Sequence, residues 1–229
     1  MNPIDVLRQV PLFASLTNDQ IVMAADWFRA ETFTTDTMIF LEGDPADRLW
    51  VVSAGQVKIV KHTSDAQENL LEVITPGEMF GGAGLLLATH PATAVAMTSV
   101  TALSIERGPY LQLIRQYPDI ALRIIQLLGD RLQAAMKMRA LAAERADVRL
   151  ANILLKLCAK VGAAVEEGTR INLPLSRQDL ADMAGTTIET AIRVMSRFRK
   201  DGLVHTEPGG YIIVLDHERL QRLSKGAAE

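Results

Sequence analysis

Residues 175–202, LSRQDLADMAGTTIETAIRVMSRFRKDG, constrain this chain more than any other stretch. Ser176 is placed to cap a helix whose apolar residues Leu180, Met183 and Ala184 fall at helical spacing. Gly185 interrupts that helix, and glycine suits a tight turn because it tolerates positive φ. A second helix opens with Thr187 as N-cap and runs to Lys200, with Gly202 at the C′ position. Two short helices joined by a glycine turn predict a helix-turn-helix, a motif whose second helix enters the major groove of DNA.

The faces of the two helices support this expectation. Leu180, Ala181, Ala184, Ala191, Val194 and Phe198 fall where the helices pack on each other and on their domain. Thr187, Ile188, Glu189, Ile192, Arg193 and Ser196 then point outward. Glu189 and Arg193, four residues apart, also fit a surface ion pair of little energetic consequence. Ile188 and Ile192 weigh against that alternative, since a solvated helix gains nothing from two exposed isoleucines. A carboxylate, a guanidinium and an aliphatic side chain match the cytosine amino group, guanine O6/N7 and the thymine methyl group. The expected DNA-contacting set is Ser176, Arg177, Thr187, Ile188, Glu189, Thr190, Ile192, Arg193, Ser196 and Arg197.

A net charge of −3 argues against charge-driven, non-specific DNA binding. The charge is unevenly spread: residues 146–229 carry 12 basic and 11 acidic side chains, and the rest carries 12 and 16. Arg193, Arg197, Arg199 and Lys200 cluster on the second helix, where phosphates would lie. At 229 residues the chain has room for two domains. No apolar run is long enough to predict a membrane span, and the start lacks a signal-peptide layout; the expected compartment is the cytoplasm. The single cysteine, Cys158, excludes an internal disulfide and a cysteine-only metal or iron–sulfur site within one chain. It sits among apolar residues and reads as buried filler.

Residues 1–30 read as helical, with Thr17 as a cap. Short β-runs then follow at 37–41, 49–52, 57–60, 69–74, 79–80, 93–97 and 102–105, punctuated by glycine turns, which predicts a small antiparallel roll or sandwich. From 119 to about 145 the pattern is helical, roughly 40 Å at about 1.5 Å per residue. Ile125, Leu128, Leu132, Ala135 and Ala142 form one apolar seam on it, and Ile124, Leu127, Ala134, Met138 and Leu141 a second. One face for the roll and one for a second chain would use both, so a homodimer through paired helices is expected. A hinge is expected at 143–147, then a helix over 146–161, two strands around 207–210 forming a wing, and a last helix over 216–223. The expected division is 1–117, 118–145 and 146–229.

Four stretches, IFLEGDPADRLWVVSAGQVKIV (39–60), PGEMFGGAGLL (76–86), PDIALRIIQLLGDRLQ (118–133) and the helix-turn-helix, resemble in order and spacing the cyclic-AMP receptor protein / fumarate–nitrate regulator (CRP/FNR) superfamily. The resemblance implies an α+β chain: an N-terminal cyclic-nucleotide-binding-like antiparallel β-roll, a long dimerisation helix and a C-terminal winged helix-turn-helix. It further implies an allosteric homodimer on palindromic promoter DNA, with RNA polymerase as a partner. Glu189 and Arg193 fall on the pair with which the family reads a G·C pair. Ile188 resembles the aliphatic residue of fumarate–nitrate-type members, and Ile192 departs from their serine, which implies a TTGA-like half-site altered where Ile192 faces it.

The effector region departs from the resemblance. Gly82 stands where cyclic-AMP binders have a ribose-holding glutamate, and His90-Pro91 where they have a phosphate-holding arginine and serine. Ala135 and Met136 replace polar side chains that hold adenine. A buried phosphate needs a compensating charge, so cyclic AMP is not the expected effector. The iron–sulfur branch needs several cysteines. The haem branch resembles this chain at PGEMF but places its ligands where Gly81 and Ala83 stand, which leaves haem open only with other axial groups such as His90 or Met97. The expected pocket comprises Gly81, Gly82, Ala83, Gly84, Leu85, His90, Pro91, Ala92, Thr93, Leu132, Ala135 and Met136, with an unknown small molecule as effector. His90, in a loop, is expected to be solvated. The alternatives are a constitutive DNA-binding regulator with a purely structural roll, and a haem-dependent gas sensor. No nucleophile–base pair or metal-ligand cluster suggests an enzyme.

Overall fold

The computed structural model describes residues 2–62, 68–141 and 144–226. It divides into two compact units, Met1–Gln133 and Ala134–Glu229. The division falls inside the long helix.

The first unit opens with α1 (Pro3–Gln9), α2 (Asn18–Ala25) and β1 (Arg29–Phe33). Thr17 and Gln20 form a reciprocal capping box that starts α2. Then come β2 (Met38–Phe40), β3 (Arg48–Ala54), β4 (Val57–His62), β5 (Glu68–Ile74), β6 (Met79–Phe80), α3 (Gly82–Leu87), β7 (Thr93–Ala96), β8 (Val100–Glu106), α4 (Arg107–Gln116) and α5 (Pro118–Leu141). Two antiparallel sheets result, ordered β1-β8-β3-β6 and β2-β7-β4-β5.

Strand β3 shows why the apolar run LWVV is unbroken. Successive side chains alternate between faces, and both faces of this strand are covered. Trp50 and Val52 enter a core with Val57, Ile74, Phe80 and Ala94. Leu49 and Val51 enter a second core with Leu7, Phe13, Phe28, Leu113 and Ile120 from the helices. Strand β8 repeats the split, Ala102 on one side and Leu103 and Ile105 on the other. Ile120 thereby fastens the first turn of α5 to the roll.

The second unit holds α6 (Ala146–Val161), β9 (Gly162–Val165), β10 (Gly168–Ile171), α7 (Arg177–Ala184), α8 (Ile188–Lys200), β11 (Val204–Thr206), β12 (Ile212–Val214) and α9 (His217–Ser224), with sheet order β11-β12-β10-β9. Helix α6 buries Val148, Leu150, Ile153, Leu154 and Leu157 against α7, α8 and α9. Cys158 is buried with them, and burial pushes its thiol up to about 11, an unreactive filler as expected.

Several expectations need correction. β1 begins at Arg29, inside the stretch read as helical, and α3, α4 and the β9–β10 hairpin were not anticipated. Glycines in α3, and Gly108-Pro109 at the start of α4, read as turns, while β9 exposes residues and so lacks an apolar alternation. Helix α5 ends at Leu141 rather than near 145. Of the expected hinge, Ala143 lies outside the described residues, as does Ala142 of the seam, while Ala146 and Asp147 already belong to α6.

Candidate nucleic-acid interface and ligand cavity

The helix-turn-helix forms from local chemistry. Asp179 N–H donates to Ser176 Oγ at 3.0 Å and Ser176 N–H to Asp179 Oδ2 at 2.8 Å, a closed capping box at the start of α7. Gly185 ends α7 at φ 57°, ψ 49°, a left-handed conformation that favours glycine. Arg149 of α6 donates to the Ala184 carbonyl at 2.6 Å and the Gly185 carbonyl at 3.2 Å. It thus satisfies acceptors that a helix end leaves free, with a cation where the helix dipole favours one. Thr187 caps α8 by accepting from Thr190 N–H.

The inward set Leu180, Ala181, Ala184, Ala191, Val194 and Phe198 is buried, as expected. On the outer face of α8, Thr187, Glu189, Arg193 and Ser196 are exposed, Thr190 is half-buried, and Ile188 and Ile192 are 37% and 45% exposed. Ser176 is exposed and Arg177 half-buried at the start of α7. No ion pair joins Glu189 to Arg193 among the described residues. The backbone N–H of Glu189 and the Thr187 side chain beside its carboxyl hold the Glu189 pKa below the usual range. The surface-pair alternative is therefore not realised in this geometry.

Two anchors behind this face were missed. One is Arg149; the other is Asp147, buried in the first turn of α6. Asp147 Oδ2 accepts from Arg145 at 2.7 Å and from Arg197 of α8. Burial pushes the Asp147 carboxyl up, but the bonds from Arg197 and the Val148 N–H, with both arginine charges, outweigh it and leave the pKa below normal. Arg197, expected at a phosphate, is tied to this carboxylate. No local sequence signal marks a contact made 50 residues away.

The wing is fixed to the motif. Leu175 N–H donates to the Gly210 carbonyl at 3.0 Å. Gly210 has φ 85°, and a Cβ there would lie 2.8 Å from the Leu175 carbonyl oxygen. Arg170 stacks over Tyr211 at 4.0 Å and pairs with Glu207 at 2.7 Å.

In the first unit, a cavity of about 490 Å³ lies between the roll and the first half of α5. Gly81, Gly82, His90, Pro91 and Ala92 line it as expected. The remaining expectations do not fit. Leu85 points into the helix-side core, Thr93 is buried and accepts from Glu42 N–H at 3.0 Å, and Leu132 and Met136 are exposed and off the wall. Ala83, Gly84 and Ala135 lie outside the residues whose surroundings are described. The contribution from α5 comes earlier, through Ile124, Ile125, Leu127, Leu128 and Arg131.

His90 overturns the expectation of a solvated loop residue. It is 2% exposed, stacks on Phe40 with ring centroids 3.6 Å apart, and its Nδ1 has no hydrogen-bond partner. Burial lowers its pKa against the opposing charges of Asp44 and Asp47. His90, Pro91 and Ala92 stand on the wall where the resemblance implies a phosphate-holding arginine and serine. Met97, the other haem-ligand candidate, is not on the cavity wall, and no cluster of three metal-ligating side chains occurs among the described residues.

Residues 30–117 match the cyclic nucleotide-binding domain family, and residues 148–223 match the Crp-like helix-turn-helix domain family. The chain is 32% identical to the Cyclic AMP receptor protein of Thermus thermophilus over 89% of its own length and 92% of that protein's. The chain belongs to the CRP/FNR superfamily of DNA-binding transcription regulators. This CRP/FNR regulator is also 32% identical to the Global nitrogen regulator of Synechocystis over 76% of the chain and 79% of that protein. Its fold resembles that of FixK2 from Bradyrhizobium japonicum, with a TM-score of 0.76 at 25% identity, covering 88% of this chain and 99% of that one. No helix among the described residues is long and apolar enough to cross a membrane.

Proposed function

We propose that this regulator binds promoter DNA in the cytoplasm as a homodimer. Its two α8 helices read the TTGA-like half-sites of a palindrome about 34–36 Å apart, one DNA turn, and the bound dimer contacts RNA polymerase. The observation carrying this reading is the outer face of α8. Glu189 and Arg193 share it without pairing to each other, flanked by exposed Ile188 and Ile192. Dimerisation is supported by Ile125, Leu128 and Leu132, which are 64%, 49% and 63% exposed along one stripe of α5. Control by an effector other than cyclic AMP is supported by the cavity, whose one lining guanidinium, among the described residues, is Arg131, already paired with Glu72.

The test is fluorescence anisotropy on a duplex with two inverted TTGA half-sites, against one with the G·C pairs replaced. Arg193→Ala is expected to lose on the order of 1–3 kcal/mol per half-site and most discrimination between the duplexes. A variant that separates them as well as the parent chain would overturn the assignment of the reading face. A second reading, ligand-independent DNA binding with a structural roll, is favoured by His90-Pro91 standing where the resemblance implies a phosphate-holding arginine and serine. Equal promoter affinity before and after removal of bound small molecules would support it.

A further inference from the structure

We propose that the cavity of the roll takes an uncharged, largely apolar organic molecule, and that Ile125 and Leu128 transmit its presence to the outer face of α5. The inference rests on the reading of the protein as an effector-controlled dimer. The volume, about 490 Å³, lies within the range of pockets for small organic ligands, roughly 300–1,000 Å³. Phe40, Ile59, Ile74, Phe80, Ile114 and Ile124 are among the apolar side chains that line it.

The polar groups on the wall do not suit an anion. Arg131 already pairs with Glu72 at 3.5 Å. His90 is held neutral by burial and packed face to face on Phe40. Tyr110 is a neutral phenol, its pKa pushed up to about 12 by burial. An anion enclosed here would lose its water and gain no free cation, whereas an apolar body gains simply by leaving water.

Ile125 and Leu128 line the cavity, yet both are largely exposed in the isolated chain. Their side chains thus border the ligand and the stripe that Leu132 continues. An occupant that prefers one rotamer of either residue reshapes that stripe. It shifts the dimer only as far as it binds one arrangement better than the other.

Two dyes with the same ring system separate the ligand classes: N-phenyl-1-naphthylamine is uncharged, and 1-anilino-8-naphthalenesulfonate carries a sulfonate. The full chain is expected to bind one molecule of the uncharged dye per chain, at least tenfold more tightly than the sulfonate, with no displacement by cyclic AMP. Tighter binding of the sulfonate, or displacement by cyclic AMP, would overturn the ligand class. The site is tested with Gly82→Phe, since a Cβ on this lining glycine meets nothing within 4 Å, and independently with Ala92→Phe. Either folded variant should lose at least tenfold in dye affinity; unchanged affinity in both would remove the dye from the cavity. Sedimentation with and without the uncharged dye should show at least a threefold change in the dimer constant. A bound dye that leaves it unchanged refutes the coupling through Ile125 and Leu128. Promoter affinity of the dye-free chain is measured alongside: intact promoter binding with no dye binding defeats this inference alone, and absent promoter binding defeats the reading beneath it.

Discussion

Asp147, in the first turn of α6, accepts a hydrogen bond from Arg197 on the recognition helix. The carboxylate is buried, whereas the guanidinium is half in solvent. The pair therefore ties α8 to α6 and occupies an arginine that sits beside the exposed stripe of α8. Asp147→Asn is expected to destabilise the second unit by about 1–3 kcal/mol, since charge-assisted bonds to a buried acceptor are lost. It should also steepen the salt dependence of promoter binding, by about 0.9 in log–log slope for each arginine that reaches a phosphate. Urea unfolding and anisotropy in a potassium chloride series check both. An unchanged slope would mean that Asp147 does not keep Arg197 from phosphate.

The same carboxylate gives an acid dependence. Its folded pKa lies below the ordinary carboxylate value, so its contribution is complete above that value and is lost as pH falls through the folded pKa. Thermal melts of the parent chain below pH 4 should fall more steeply than those of Asp147→Asn. Parallel acid limbs would remove Asp147 from the account.

His90 acts in a different window. Burial puts its folded pKa below 6.5, so the unfolded chain takes up the proton first and stability falls as pH drops from about 6.5 towards the folded value. His90→Phe keeps a ring against Phe40 and removes the unpartnered Nδ1. The variant should be at least as stable as the parent at pH 7, gaining up to about 1 kcal/mol, with a flatter profile from pH 6.5 to 5. Melting curves across that range, with an NMR titration of the His90 ring, test it; a parent ring titrating above 6.5 would contradict the assignment.

Local signals and tertiary contacts were unequally legible in the sequence. Ser176, Gly185 and Thr187 announce their caps and turn within four residues, and the structure places all three so. The apolar run at Leu49, Trp50, Val51 and Val52 was legible as a strand, but not as one covered on both faces. His90 was misread because a loop position was equated with solvent; the structure buries its ring against Phe40. Asp147 entered the sequence reading only as the end of the expected hinge, and its tie to Arg197 depends on how α6 crosses α8. The cavity is lined by earlier turns of α5 than the resemblance implied, because Ile120 and Ile124 pack that end of the helix on the roll.

The exposed stripe of α5 bears on assembly. Replacing Leu132 with Glu puts a charge on an apolar face without disturbing either core, since Leu132 enters neither. Burying that unpaired charge in a dimer costs several kcal/mol. Leu132→Glu should therefore sediment as a monomer at micromolar concentration, with the fold retained by circular dichroism. Retention of the dimer would move the interface elsewhere.

Ile192 offers the sharpest test of how α8 reads DNA. It lies one turn beyond Ile188 on the exposed face of α8, beside Arg193, and is 45% exposed. An aliphatic side chain at a base edge favours a thymine methyl group and rejects positions whose donors or acceptors it would leave unpaired. Ile192→Ser exchanges that preference for a hydroxyl able to donate or accept. Its effect should be confined to one base pair per half-site, altering relative affinities there by about 1–3 kcal/mol. Because Ile192 carries no charge, the salt slope should not move, whereas Arg193→Ala lowers affinity for the G·C-containing half-site itself. Binding of the two variants to a library randomised across the half-site separates these outcomes. A uniform loss across all sequences from Ile192→Ser would show that this residue supports the helix and does not read the base.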